Sequence, residues 1–504
     1  MNRLARTSIL LSVCLVAGLA SCTTPESQSS TSVAPQGSTS AAPQGSTSAP
    51  AIRSAGQAPS LSSAAPSAAA AACPPLGWSE GLIRYLAPDA RLPTTEPTVD
   101  CAFHEWSWET FVWATALDKN GVPRFMTLPT LDDLVSIKPD ADKEGVRPLR
   151  LANRALKPHG ANGAPEVAGA IVEADGNMMV APNGYPVLAS VHMNASYFKI
   201  AKKNLIVDGG YQKNPEQDAY FGVGDAIFKA TWMRLDAGQK PPVGAYTTQA
   251  DVPVLMIDKK NSLVVTTGKT TQATVALVGL HVVGITDGHP EFLWGTFEHN
   301  LNNPQVPDNT FTTAGSDSKG YTFYAANTSY ANANTSNSAA PATLTFDEKT
   351  QRFSPITSAV LENKTGGETN SPDGPTNIAN LNTSSQRFLQ GQPGNEALFA
   401  NYNLIGTVWM KPNTYVTTNP SWKNLASADA VGSVNLANST AETFVQVAND
   451  SVMKNVKNCF SCHNPGSYNF QTSPPKLASR RIAISHVLSV SSPYAVLNQI
   501  LVKQ

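Results

Sequence analysis

Two cysteines and a histidine near the end of the sequence have a spacing that can do chemistry. Cys459 and Cys462 are separated by two residues, and His463 follows directly. This CxxCH spacing is typical of c-type haem attachment, in which both thiols bond to vinyl groups of one porphyrin and the imidazole binds its iron. A zinc site would need two further ligands, and no second Cys or His cluster lies nearby. The pattern therefore predicts one covalent haem c on Cys459, Cys462 and His463.

The motif does not settle the second axial ligand of that iron. Residues 464–504 contain no Met, and His486 is their only His. Three alternatives stay open: His486, a side chain from farther upstream, or a five-coordinate iron. The upstream candidates are His and Met side chains, namely His104, His159, His192, His281, His289, His299, Met193, Met233, Met256, Met410 and Met453.

His281 is the upstream candidate that the strand pattern favours as a distal iron ligand. It lies in the middle of a predicted strand, on the face assigned by alternation to Val275, Leu277, Gly279 and Val283. The alternative is a core histidine whose ring nitrogens are both hydrogen-bonded.

The neighbours of His281 follow from the predicted hairpin. A turn at 287–290 that pairs Thr286 with Glu291 would place Thr296 opposite His281, with Glu298 as its diagonal neighbour. A carboxylate there could orient the imidazole as an iron ligand or as a proton carrier.

The other four cysteines fall into two groups. Cys14 and Cys22 lie at the N-terminal end, whereas Cys73 and Cys101 flank a Pro-rich stretch. An oxidising compartment permits the second pair to form a disulfide. We predict this disulfide because Cys73 and Cys101 are the two cysteines left once the motif and N-terminal cysteines are assigned. Two buried thiols are the alternative.

The N-terminal residues predict export. Arg3 and Arg6 precede a short apolar core at 9–19, which is typical of a signal peptide. The core ends in Leu-Ala-Ser-Cys, which looks like a lipobox with Cys22 as the lipidated residue; an ordinary cleaved signal is the alternative. Thr23 resembles the residue found in outer-membrane lipoproteins, so we expect a lipid anchor at the periplasmic face, the outer membrane or the cell surface.

Composition divides the chain into four predicted segments. Residues 1–21 are the signal peptide, and residues 22–72, rich in Ser, Thr, Ala and Pro, are expected to be a disordered tether. Residues 73–430 are predicted to form a mixed, β-rich globular domain, and residues 431–504 a helical haem-binding segment. The 36 Lys and Arg against 37 Asp and Glu include no basic run, which excludes a nucleic-acid partner.

Periodicity predicts an α+β fold: a β-rich central domain, built as a sheet or a sandwich, with a helical N-terminal part and a C-terminal helical segment like that of cytochrome c. A short helix is expected around 108–117, long surface loops at 300–395, and structure again at Leu398–Trp409. A capping box at Ser439 predicts a helix that leads to Cys459, and Leu477–Val490 is a further helical candidate. The predicted strands show alternation and β-branched residues: Ala226–Leu235, Pro253–Asp258, Ser262–Thr267, Gln272–Thr286 and Glu291–His299.

Several motifs together resemble a family of exported bacterial proteins described as cytochrome c family proteins. The resemblance implies a single haem c and a periplasmic or surface location, and it implies no reaction. The segments that carry it, besides the CxxCH, are Trp106–Val112, Leu280–Val283, Phe292–Asn300 and Leu404–Trp409.

Three functions are compatible with these patterns. The favoured one is a lipid-anchored, one-electron carrier that exchanges electrons with a partner protein or a small donor or acceptor and touches the membrane through its lipid alone. The second is a peroxidase- or oxygenase-like haem enzyme with an open distal site that uses His281 or Glu298. The third is a sensor in which the β domain binds a ligand and the haem reports redox state.

Overall fold

The structure, a computed structural model, describes residues 73, 77–130, 132–133, 145, 148–151, 178–206, 221–258, 263–306, 315–333, 345–366, 374–411, 430–440, 443 and 459–462. All of them belong to one compact unit, Ala68–Gln504. The fold is α+β, as predicted, with a mixed β-sheet at its centre and few helices.

Eleven strands are found in the described part of the chain. They are β1 (Leu149–Arg150), β2 (Leu188–Met193), β3 (Ala226–Arg234), β4 (Thr247–Asp258), β5 (Leu263–Thr286), β6 (His289–His299), β7 (Thr345–Asp347), β8 (Arg352–Ser354), β9 (Glu362–Gly366), β10 (Tyr402–Met410) and β11 (Ala430–Ala437). The predicted strands from 226 to 299 are confirmed, with two of them merged into the single strand β5.

The main sheet is organised around β5. Its strand order is β1-β4-β5-β6-β10-β11-β9, and β3 pairs with β5 and carries β2 on its other edge. β1 runs parallel to β4, and the other strand pairs are antiparallel. With 24 residues, β5 is long enough to pair with β3, β4 and β6 at once.

The two longest helices of the described residues, 100–115 and 374–390, pack against strands of this sheet. The α-helices are α1 (Ile83–Leu86), α2 (Asp100–Thr115), α3 (Ala195–Ile206), α4 (Gly374–Gln390) and α5 (Cys459–Cys462), and the 3-10 helices are Ser79–Leu82, Arg124–Thr127, Tyr330–Asn332 and Gly394–Asn401. None of the helices in the described residues is long and apolar enough to cross a membrane.

Helix α2 packs across the sheet and forms the centre of the core. It is longer than predicted and buried on nearly all sides, because Trp106, Trp108 and Phe111 enter the core from different sides of the helix. Trp108 donates to Asn382 of α4 at 3.1 Å, and Trp113 donates to the carbonyl of Ala90 at 2.8 Å. The helix approaches the sheet closely because position 295 is glycine: a Cβ there would lie 2.6 Å from the Ser107 hydroxyl.

Helix α4 was missed within the predicted loop region 300–395. Its sequence is rich in Asn, Ser and Thr, which lowered its apparent apolar content. The buried residues Ile378, Leu381, Ser385 and Leu389 nevertheless recur at intervals of three or four, which is the spacing of one helix face.

The helix predicted to begin at Ser439 is not supported. Strand β11 occupies Ala430–Ala437, Ser439 and Thr440 form a bend, and Thr443 lies in a turn. The predicted segment boundary at 430/431 therefore falls at the first residue of a strand of the main sheet. In the described part of the C-terminal region, the helical structure is the single turn of α5. The predicted helix Leu477–Val490 lies outside the described residues.

Candidate functional site

The two motif cysteines lie at the ends of one helical turn, α5. Positions three apart are neighbours along a helix, so both cysteine positions lie on one side of the turn. Cys459 is a half-buried thiol. His463, like His486 and His159, lies outside the described residues.

Phe460 connects this turn to the central sheet. Its side chain is fully buried, and its ring meets Trp294 of β6 edge-on at a centroid distance of 6.5 Å. Such aromatic pairs contribute packing with a defined geometry. The cysteine-bearing turn is therefore held against the sheet by an aromatic contact.

We call the side of the sheet turned away from α2 the outer face. Leu280, Val282, Leu293 and Phe297 belong to the core around α2. Because side chains alternate along a strand, the intervening residues of β5 and β6 project to the opposite side. The outer face comprises Ile227, Lys229, His281, Val283, Trp294, Thr296, Glu298 and Val408.

His281 lies on this outer face opposite Thr296, as predicted. Its Nδ1 is 2.9 Å from the Thr296 hydroxyl, and the ring is almost fully buried. The hairpin differs at its tip, because Thr286 pairs with His289 and not with Glu291. An irregularity on β6, with φ of 73° at Phe292, restores the predicted register farther along the strand.

The predicted neighbours of His281 along β5 are wrong in part. The β3–β5 register shifts by one residue at Val278, since Thr231 pairs with Gly279 but Trp232 pairs with Leu277. This bulge reverses the alternation. Leu277, with Val275, therefore packs in the α2 core. Position 279 lies on the outer face, where a Cβ would meet the side chain of Thr440.

Glu298 anchors the chain that follows β11. Its Oε1 accepts hydrogen bonds from the backbone N–H and from the hydroxyl of Ser439. The hydroxyl of Thr440 donates to the carbonyl of Phe297 at 3.2 Å. Ser439 therefore binds a buried carboxylate and does not cap a helix. These bonds engage one of the two carboxylate oxygens of Glu298.

A second histidine–carboxylate pair, missed by the sequence analysis, lies at the hairpin tip. His289 Nδ1 is 2.8 Å from Glu291 Oε1, and His289 Nε2 is 3.2 Å from the carbonyl of Pro97. The backbone N–H of Met410 donates to the same Glu291 oxygen at 3.3 Å. Burial raises the pKa of Glu291. The pKa of His289 is also raised: burial opposes the rise, and the hydrogen bond and charge of Glu291 outweigh it.

The remaining buried histidines lie elsewhere in the structure, and the first of them, His104 of α2, meets Trp409 edge-on. His192 of β2 pairs with Phe228 on the α2 side, with its Nε2 2.9 Å from the Ser190 hydroxyl. His299 contacts Tyr402 edge-on, and burial lowers its pKa to about 4. Within the described residues, no group of three or more His, Cys, Asp and Glu side chains could hold a metal ion.

Cys73 and Cys101 form a disulfide in the structure. Cys101 lies in the first turn of α2. The backbone N–H of Cys73 donates to Asn377 of α4 at 2.9 Å, and Asn377 donates to Asp100 at 2.7 Å. The disulfide thus ties the start of the described chain to two helices of the core. Cys14 and Cys22 lie outside the described residues.

Comparisons with protein-family models, with curated proteins and with solved structures gave no match. The resemblance to cytochrome c family proteins therefore stays a prediction, carried by the residues of this chain alone.

Proposed function

We propose that this protein is an exported, lipid-anchored c-type cytochrome with one covalent haem, and that it transfers single electrons. Its partner would be a redox protein or a small electron donor or acceptor. The observation that carries the proposal is the position of the CxxCH cysteines. They lie on one helical turn, which Phe460 attaches to a buried sheet face through Trp294.

The residues present on this face fit a haem. Trp294, Phe460 and Val283 are apolar and buried, as the walls of a haem pocket need to be. His281 adds a nitrogen donor of the kind that haem iron takes. The motif adds two thiols and an imidazole, and Cys459, a half-buried thiol, lies on the same helical turn as Phe460.

Each of these residues has a separate task in the proposed carrier. Cys459 and Cys462 would hold the porphyrin by thioether bonds, and His463 would bind the iron. Trp294 and Phe460 would exclude water from one side, which influences the potential through burial. Bound haem c supplies a one-electron iron couple. We also propose that the C-terminal residues form a haem-binding segment that packs on the β-rich domain.

The disulfide Cys73–Cys101 supports export, since disulfides persist mainly outside the reducing cytosol. We propose lipid attachment at Cys22 and a tether at 22–72 on the sequence pattern alone. Metabolic labelling with a fatty acid tests the first point: wild type should be labelled and Cys22→Ala should not. A labelled variant, or an unlabelled wild type, would contradict lipidation at this residue.

Covalent haem attachment is the decisive experiment. The full chain is produced in cells with an active cytochrome c maturation system, denatured and separated by electrophoresis, and haem is detected on the protein. Wild type should retain haem, and Cys459→Ala/Cys462→Ala should lose it. The matched control is Cys73→Ala/Cys101→Ala, which removes the other cysteine pair and should retain haem. Haem that dissociates from denatured wild type would refute the proposal.

A further inference from the structure

We infer that His281 is the second axial ligand of the proposed haem and that Thr296 is its positioning residue. This inference rests on the proposed function and adds to it where on the fold the haem lies. The haem would occupy the outer face of β5 and β6, between the cysteine-bearing turn and the imidazole.

The first argument is the common face of the two sites. Trp294, which contacts Phe460, pairs across the hairpin with Val283, and His281 pairs with Thr296. These two pairs are successive on one face, so they lie about 7 Å apart along the strands. The side chain that anchors the cysteine turn and the candidate ligand are therefore next to each other on a rigid sheet.

The second argument is the orientation of the imidazole. Thr296 Oγ1 lies 2.9 Å from Nδ1 of His281. Histidines that bind metals usually bond through their other ring nitrogen to a neighbouring group, which fixes the tautomer and the ring plane. Thr296 occupies that place here, so Nε2 is the nitrogen that an iron would take. The β5–β6 ladder holds both residues, which keeps the ring position precise.

The third argument is the placement of the other buried histidines. His192 lies on the α2 side and contacts Phe125 edge-on at 5.2 Å, so the sheet separates it from Phe460. His299 has the opposite alternation to Thr296 and packs on Tyr402. Both ring nitrogens of His289 are in hydrogen bonds, one with Glu291 and one with the Pro97 carbonyl. His104 lies on α2 and contacts Trp409 in the core. Of the described histidines, His281 is therefore the one on the face that α5 contacts.

Buried methionines are the competing ligands on this face; Met233 of β3 also projects to it, but it pairs with Ala276, five residues along β5 from His281. Met193 and Met410 are fully buried and project to the same side of the sheet as His281. Met193 is three strands from β6, which places it about 14 Å across the sheet. Met410 is nearer, two residues beyond Val408, the partner of Trp294. The experiment therefore has to distinguish sulfur from nitrogen ligation.

The test uses the haem-loaded full chain and reads the ligand spectroscopically. We expect ferric wild type to be low-spin and to lack the far-red sulfur-to-iron charge-transfer band. His281→Ala should become high-spin and bind CO readily in the ferrous state, and added imidazole should restore the low-spin spectrum. The matched control is His192→Ala, which removes a buried histidine from the other face of the same sheet and should keep the wild-type spectrum.

Thr296→Val tests the positioning role without removing the ligand. Valine preserves shape and deletes the hydroxyl, so we expect a low-spin haem with shifted electron-paramagnetic-resonance g values and a shifted midpoint potential. A wild-type spectrum in this variant would overturn the role of Thr296.

Three results would overturn the ligand assignment. They are a high-spin wild type, a sulfur-to-iron band in wild type, and a His281→Ala spectrum identical to wild type. The wild-type spectrum decides the first two even where the variant fails to fold. Loss of covalent haem from wild type would instead refute the proposed function, so the two failures are distinguishable.

Discussion

Replacing Glu291 by glutamine tests the proton that the buried His289–Glu291 pair should hold. Both ring nitrogens of His289 face oxygen acceptors, Glu291 Oε1 and the Pro97 carbonyl. A neutral imidazole carries one N–H and can satisfy one of them. The pair therefore needs one proton more than a neutral histidine beside an ionised glutamate would have.

The size of the effect follows from the hydrogen bonds at Glu291. Glutamine must present its oxygen to the N–H of Met410, which directs His289 Nδ1–H toward that oxygen as well. His289 Nε2 then faces the Pro97 carbonyl without a proton unless the ring charges beside a neutral amide. Leaving one buried polar group unsatisfied costs about 1–3 kcal/mol. We expect Glu291→Gln to lower the free energy of unfolding by about that amount at neutral pH.

The sign of the pH dependence follows from the raised pKa values of both groups. A native state with raised pKa values binds its proton at higher pH than the unfolded chain does. For His289 the stabilisation is therefore complete below the ordinary histidine pKa of about 6.5 and is lost as pH rises through the raised native pKa. The raised pKa of Glu291 acts in the same direction, starting from the lower ordinary pKa of a carboxyl group. The charge of Glu96 also raises the pKa of His289. Nearby, His104 lies 3.5 Å from Asp100 and contacts Trp409 edge-on.

The assay is urea denaturation of wild type and Glu291→Gln from about pH 6 to about pH 9, a range around the ordinary histidine pKa. Wild type should lose stability toward the alkaline end, and the variant should show a flatter profile. Glu80→Gln, an exposed glutamate, is the matched control and should follow wild type. A variant as stable as wild type, with an unchanged profile, would refute the shared-proton reasoning.

Three further predictions concern stability. Cys101→Ser opens a disulfide that spans 28 residues and should cost about 3–4 kcal/mol in the chain-entropy estimate, measured by denaturation with and without reductant. Gly279→Ala puts a Cβ into the Thr440 side chain and should cost about 1–3 kcal/mol, whereas Gly222→Ala, with open space around it, should be neutral. Phe111→Ala removes a fully buried ring and should lower the free energy of unfolding by about 3–5 kcal/mol. A smaller loss of stability, measured by thermal or urea unfolding, would contradict the placement of Phe111 in the core.

The sequence by itself determined the features that depend on local periodicity and residue chemistry. Alternation along β3, β5 and β6 was strong enough to predict these strands, because a strand with a buried face repeats every two residues. The pairing of His281 with Thr296 was predicted correctly, although the tip pairs Thr286 with His289 and an irregularity on β6 restores the register. The CxxCH spacing predicts haem c from residue chemistry in the same local way, and this stays a prediction.

Only the tertiary structure decided which side of the sheet each residue faces. The bulge at Val278 leaves backbone groups outside the ladder, and distant side chains satisfy them. Tyr402 donates to the Leu277 carbonyl at 2.8 Å, and Asn302 donates to the Val278 carbonyl at 2.7 Å. Partners more than twenty residues away stabilise this bulge, so the alternation of β5 alone could not reveal it.

Ser439 and His289 show the same limit. The Ser-Thr-Ala-Glu pattern at 439–442 is a helix start in isolation, but the buried carboxylate of Glu298 binds the Ser439 N–H and hydroxyl first. His289 was expected to lie in a turn, and nothing in the sequence pattern indicated that it forms a buried pair with Glu291. The Pro97 carbonyl and the Met410 N–H, which come from distant parts of the chain, complete the hydrogen bonds of this pair. Long-range hydrogen bonds in a buried site are stronger than local preferences, and the folded chain alone brings their partners together.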